Sequence, residues 1–216
     1  MNISQSQPLV YVIGDSISVH YGPYLKEMLE PHFCYDRKSG TSEAMKNLDI
    51  PAGANGGDSS AVLYYLRQKH TKEPNWKPDL LLLNCGLHDL KTYPATGNKQ
   101  VPLEQYSLNL RQIVALMKSA GIKMAWVRTT QIDDQNHNSI ATSFKRYSAD
   151  VDRYNYIADE IMSDLNIPTA DLCSMTKQLG ISEFCDHAHF HEDVRRRQAR
   201  YLADFIIELY QKHYFC

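Results

Sequence analysis

The chain has 216 residues, 43% of them hydrophobic, with 23 Lys and Arg against 25 Asp and Glu. This ordinary balance excludes disordered, collagenous and coiled-coil classes, and a formal charge of −2 provides no field to gather nucleic acid or an anionic membrane. No run approaches the roughly 20 apolar residues that span a bilayer, and the polar start, Met1 to Gln7, lacks the basic segment of a secretory signal, so the expectation is a cytoplasmic protein, or a secreted or periplasmic one if a leader has been removed.

Short apolar runs rich in β-branched residues alternate with helical patterns, the arrangement of a parallel sheet covered on both faces. Strands are predicted at Leu9 to Ile13, Phe33 to Arg37, Leu80 to Cys85, Met124 to Thr129 and Thr169 to Leu172. Helical spacing runs over Tyr24 to Leu29, Ser60 to Lys69, Leu103 to Ala120, Phe144 to Leu165 and Glu192 to His213. Gly121 stands in the usual position after a helix end. In the last helix Val194, Leu202, Phe205, Ile206 and Leu209 face inward and Arg195, Arg196 and Lys212 outward. There is no repeat and no linker, so residues 1–216 read as one domain. Two polar loops, Lys91 to Val101 and Ile132 to Ser143, leave the carboxyl ends of strands, where open α/β sheets bind ligands. The five cysteines are scattered, which argues against a disulfide framework or a structural zinc site.

Four segments carry chemistry. The first strand runs into Gly14-Asp15-Ser16-Ile17-Ser18, where Ser16 is either a helix cap or a nucleophile exposed at the sheet edge. Asn55-Gly56-Gly57-Asp58-Ser59-Ser60 lies at a loop-to-helix junction, where glycine makes a tight turn or presents backbone N–H groups to a ligand. Asn84-Cys85-Gly86-Leu87-His88-Asp89 ends the most hydrophobic strand in a burst of polar groups suited to oxyanion donors. Asp186-His187-Ala188-His189-Phe190-His191 precedes the last helix. Asp186 can turn back onto the Nδ1 proton of His189 and leave Nε2 free to take a serine proton. The alternation of His187, His189 and His191 leaves metal ligation as the competing reading.

Taken together and in this order, the four segments resemble the SGNH hydrolases, also called the GDSL esterase and lipase family. Gly14-Asp15-Ser16 matches the nucleophile block, and Gly57 the glycine whose N–H serves the oxyanion hole. Gly86-Leu87-His88-Asp89 stands where the family carries Gly-x-Asn-Asp, and Asp186-His187-Ala188-His189 matches Asp-x-x-His. The chain departs from the pattern at His88, where the family places asparagine; an imidazole N–H or the nearby Asn84 amide would then take that role.

The resemblance implies a three-layer α/β/α sandwich with a five-stranded parallel sheet in flavodoxin-like order. It implies ester hydrolysis by Ser16, His189 and Asp186, with the N–H groups of Ser16 and Gly57 and the side chain of His88 holding the oxyanion. No metal or organic cofactor is expected. The expected substrate is a small-molecule or oligosaccharide ester with a short acyl group, acetyl above all, and neither nucleic acid nor membrane is an expected partner. Two alternatives stay open: an acyltransferase built on the same triad, and a non-catalytic carbohydrate-binding module. Rival motifs are missing, including the Gly-x-Ser-x-Gly elbow, Gly-x-Gly-x-x-Gly and Gly-x-x-x-x-Gly-Lys.

Overall fold

Five parallel strands form one sheet in the order β2-β1-β3-β4-β5, with β1 at Leu9–Ile13, β2 at Cys34–Arg37, β3 at Leu80–Leu83, β4 at Lys123–Val127 and β5 at Thr169–Ala170. This is the expected flavodoxin-like order. The computed structural model describes residues 7–30, 32–140 and 143–212. Helices α1 (Ser16–Leu29), α2 (Thr41–Ala44), α3 (Ser59–Lys72), α4 (Leu103–Ser119), α5 (Asp134–Ile140), α6 (Ser148–Asp164), α7 (Leu172–Lys177) and α8 (Glu192–Gln211) connect and cover the strands. One layer joins α1, α8 and α7, and the other joins α3, α4 and α6. The central strand β3, Leu80-Leu81-Leu82-Leu83, is wholly buried, as expected for a strand covered on both faces. Its neighbours hold register at Val10 with Leu80 and Leu80 with Lys123. Among the described residues no helix is long and apolar enough to cross a membrane.

The local differences from expectation have identifiable causes. Helix α1 begins at Ser16, ahead of the helical spacing read at Tyr24 to Leu29, because Asp15 Oδ1 accepts the Ile17 N–H at 2.9 Å, and it continues through Pro23. Helix α6 begins at Ser148 rather than Phe144. The residues before it are held extended, with Thr92 and Lys145 exchanging both backbone hydrogen bonds at 2.8 Å. Strand β5 stops at Ala170 because Asp171 caps α7, its Oδ1 accepting the Ser174 N–H at 3.0 Å. Helix α5 lies within the segment Ile132 to Ser143, predicted as a loop. The last helix keeps its predicted apolar face, and His213, its predicted end, lies outside the described residues.

Candidate active site

The nucleophile turn follows directly from the end of β1. Gly14 is needed there because a Cβ would come within 2.7 Å of the Ser18 side chain on the next turn of α1. The same residue's carbonyl accepts the Gly56 N–H at 2.8 Å, which brings the Asn55-Gly56-Gly57 loop alongside Ser16. Asn84 N donates to Ile13 O at 2.9 Å and carries the third segment to the same edge. Three sequence-distant blocks thus meet at the carboxyl ends of β1 and β3, as the open-sheet rule requires.

The fourth block completes the group. Ser16 Oγ lies 2.7 Å from His189 Nε2, across 173 residues of sequence, and both residues are only 3% exposed. His189 Nδ1 lies 2.7 Å from Asp186 Oδ2 and 3.0 Å from Oδ1. Asp186 Oδ1 also accepts the N–H groups of Ala188 and His189, each at 2.8 Å, so one short turn sets both the carboxylate and the ring. Burial alone would push the Asp186 carboxyl up. The hydrogen bond and charge of His189, with the two N–H donors, outweigh it and hold Asp186 well below the usual carboxylate range. An ionised carboxylate on Nδ1 fixes the tautomer with Nε2 free to accept the serine proton.

The three alternating histidines do not converge. His189 faces Ser16, and His191 is the exposed N-cap residue of α8. The ring of His187 sits 4.6 Å from that of His137 on α5. Among the described residues no group of three or more His, Cys, Asp or Glu is arranged to hold a metal ion.

The oxyanion side differs in detail from expectation. Gly57 has φ +75°, a conformation that favours glycine, yet its N–H donates to Asn55 Oδ1 at 3.0 Å and is already engaged. That bond orients the Asn55 amide, whose Nδ2 then points to His88 Nε2 at 3.4 Å. Because an amide nitrogen only donates, His88 Nε2 accepts and the ring proton sits on Nδ1, a buried atom with no partner. Burial, then the charges of Lys91 and Arg146, push His88 far below its ordinary pKa and keep it neutral. Asn84 is not the substitute donor expected from sequence. Its amide hydrogens are spent on Val127 O at 2.8 Å and Thr129 Oγ1 at 3.1 Å, across to the end of β4. Asp89, next to His88, is fully buried and accepts the Ser59 N–H on both oxygens, at 2.9 and 3.0 Å, fastening the third block to the start of α3.

Three neighbours escaped the sequence reading. His20 lies one helical turn after Ser16, its ring 5.1 Å from that of His189; burial, then Arg195 and His189, lower its pKa to about 4. Its i+4 spacing from Ser16 was the available signal. Asn55 stood inside a block read for its glycines, and Arg146, from the loop before α6, carried no local signal at all.

The GDSL-like lipase/acylhydrolase family model matches residues 10–202. The chain belongs to this family. Membership of an acylhydrolase family makes it a carboxylic ester hydrolase. Solved structures with the same fold include an acetyl xylan esterase, AlAXEase, at 15% identity and TM-score 0.65, covering 92% of this chain and 99% of that one. A lipase/acylhydrolase from Enterococcus faecalis matches at 16% identity and TM-score 0.68, covering 93% and 95%. The psychrotrophic esterase EstA from Pseudoalteromonas sp., inhibited by monoethylphosphonate, matches at 15% identity and TM-score 0.64, covering 95% and 100%. No curated protein sequence matches the chain significantly.

Proposed function

We propose that the chain acts as one catalytic domain and hydrolyses short-chain, chiefly acetyl, esters of a carbohydrate or similar small alcohol by a Ser16–His189–Asp186 mechanism. The observation that carries the reading is the unbroken relay from Ser16 Oγ to His189 Nε2 and from His189 Nδ1 to Asp186, 2.7 Å at each link. Ser16 Oγ attacks the acyl carbonyl as its proton passes to His189 Nε2, and the Asp186 carboxylate stabilises the imidazolium. The Ser16 N–H at the start of α1 and the His88 Nδ1–H hold the oxyanion, and Gly57 contributes by sharing its N–H with Asn55. His189 returns the proton to the leaving alcohol. It then draws a proton from water, whose oxygen attacks the acyl-serine and releases the acid and free Ser16. No step calls for a metal or an organic cofactor.

A small acyl group is supported by the near-complete burial of Ser16 and His189, and an acetylated carbohydrate by the fold shared with an acetyl xylan esterase. The test is a series of p-nitrophenyl esters of rising chain length beside acetylated oligosaccharides, with Ser16→Ala as control. Turnover should peak at acetyl and extend to the acetylated sugar. A rate that climbs to long acyl chains, or that survives in Ser16→Ala, would overturn the reading.

A further inference from the structure

Beside the triad, two buried cations converge on one residue, Arg146 on the side-chain carboxylate of Asp49 and Lys91 on its backbone carbonyl. Arg146 is 2% exposed; its Nε donates to Leu87 O and its Nη1 to Asp49 Oδ1, each at 3.1 Å. Asn138 clamps its backbone, accepting the Arg146 N–H at 3.1 Å and donating to the Arg146 carbonyl at 2.7 Å. Lys91, 8% exposed, donates from Nζ to the backbone carbonyl of Asp49 at 2.9 Å. The two cations flank the Phe144 ring, 4.3 Å (Lys91) and 4.9 Å (Arg146) from its centroid.

These contacts fix where the guanidinium stands. Leu87 immediately precedes His88. Asp49 Oδ1 lies 3.7 Å from Nε2 of His187, two residues before His189. Arg146 therefore sits between the oxyanion block and the triad turn, near enough for its charge to act on both Asp15 and Asp186. Among the described residues its Nη2 has no hydrogen-bond partner and Asp49 is the one carboxylate paired with it, while Lys91 is paired with none.

Around the two cations, His20, His88 and His137 are held neutral by burial and neighbouring cations and add no charge, Asp186 is committed to His189 and Asp15 to the Ile17 N–H, which leaves Asp49, among the described residues, as the one carboxylate in direct contact with Arg146. Burial first, then the charge of Arg146, pull the Lys91 ammonium down to about 8 against the opposing charges of Asp49 and Asp58. A buried charge without a full partner is destabilising, and that cost is recovered when an anion enters. A guanidinium offers a carboxylate a planar fork that a lone ammonium cannot.

We propose that Arg146, assisted by Lys91, forms a carboxylate-binding subsite, and that the preferred substrate is an acetyl ester whose alcohol portion carries a carboxylate. This rests on the ester-hydrolase reading of Ser16 and narrows its substrate class. It also gives the oxyanion block and the triad turn a common electrostatic reference, since the same guanidinium is bonded to Leu87 and to Asp49.

The experiment compares matched pairs in which carboxylate replaces amide: O-acetyl lactate with O-acetyl lactamide, and 4-acetoxybenzoate with 4-acetoxybenzamide. The readout is the carboxylate-to-amide ratio of kcat/KM in the wild type, R146K, R146Q and K91Q. The ratio cancels any common loss from altered packing. A charge-assisted contact predicts a ratio tenfold or more larger in the wild type than in R146Q for at least one pair, with K91Q intermediate and R146K retaining more than R146Q. Equal ratios in the wild type, R146Q and K91Q would overturn the subsite. A second arm needs no turnover: calorimetric binding of 4-hydroxybenzoate and 4-hydroxybenzamide to Ser16→Ala. The anion should bind at least tenfold more tightly, with the difference shrinking in Ser16→Ala/K91Q, and equal binding of the two would contradict the proposal. Binding preference without ester turnover in the wild type would count against the hydrolase reading and leave the subsite standing.

Discussion

Replacing Asp186 with asparagine should disable the site more thoroughly than deleting the side chain, and the reason lies in which oxygen is pinned. Oδ1 accepts two backbone N–H groups at 2.8 Å, while Oδ2 faces His189 Nδ1 at 2.7 Å. An amide has one acceptor oxygen. Set at the Oδ1 position it keeps both backbone bonds and turns its NH2 toward Nδ1; set the other way, its NH2 confronts two N–H donors. The first orientation wins by two hydrogen bonds. Nδ1 must then accept, so the ring proton moves to Nε2, which can only donate to Ser16. A nucleophile facing the wrong tautomer loses its base, a change worth about 10⁴-fold in kcat for a Ser-His-Asp site, or roughly 5 kcal/mol. Asp186→Ala leaves the ring free to adopt either tautomer and should lose less. Steady-state kcat on p-nitrophenyl acetate, with active-site titration to count folded enzyme, gives the comparison, and imidazole ¹⁵N shifts of His189 report the tautomer. Asp186→Asn activity within tenfold of wild type, or a His189 ring still protonated on Nδ1, would refute the reasoning.

Three further outcomes are expected. Ser16→Ala and His189→Ala should each lower kcat by about 10³-fold or more, and the double variant should be scarcely worse than either, because the two act as one unit; losses that multiply would break that assignment. His88→Ala should lower kcat by about 10²- to 10³-fold with little change in KM, and His88→Asn should recover part of it, since an oxyanion donor acts mainly in the transition state; a kcat within threefold of wild type would make His88 structural. Burial raises the Asp89 carboxyl to about 7 in the native state against an ordinary value near 4, despite the Ser59 N–H bonds. The native state therefore keeps this proton after the unfolded state has released it. Its stabilising contribution is full below about pH 4 and is lost as pH rises toward 7, by up to roughly 4 kcal/mol. Asp89→Asn keeps a neutral acceptor for Ser59 and removes this loss. Urea unfolding at pH 4.5 and 7.5 should show the variant gaining on the wild type as pH rises, and a pH-independent difference would count against a buried protonated Asp89.

The legible parts of the molecule are those whose signal is local. A run of four leucines ending in Asn-Cys-Gly announces a buried strand that stops at a polar edge. Asp186 and His189 lie three residues apart, so one turn suffices to join them. The nucleophile turn follows an apolar strand without a break. Where sequence reading failed, the deciding contact was distant. Asn84 looks like a spare oxyanion donor until Val127 and Thr129, more than 40 residues away, take both of its hydrogens. The place of Gly57 in a donor block is legible locally, and only the folded loop adds that its N–H is shared with Asn55. Arg146 meets Asp49 across 97 residues, and nothing in the polar stretch around it distinguishes it from a solvated arginine.

The most direct test of the central claim is covalent trapping of the nucleophile. A fluorophosphonate ester loses fluoride and forms a stable tetrahedral adduct fastest with an oxygen nucleophile activated by its base, in a site able to hold a phosphoryl oxygen. Incubation followed by intact-mass and peptide mass spectrometry should show one adduct per chain, located on Ser16, appearing at the rate at which acetyl esterase activity disappears, with labelling suppressed in His189→Ala. Full inactivation with Ser16 unmodified, or labelling of Ser16 that leaves activity intact, would contradict the account.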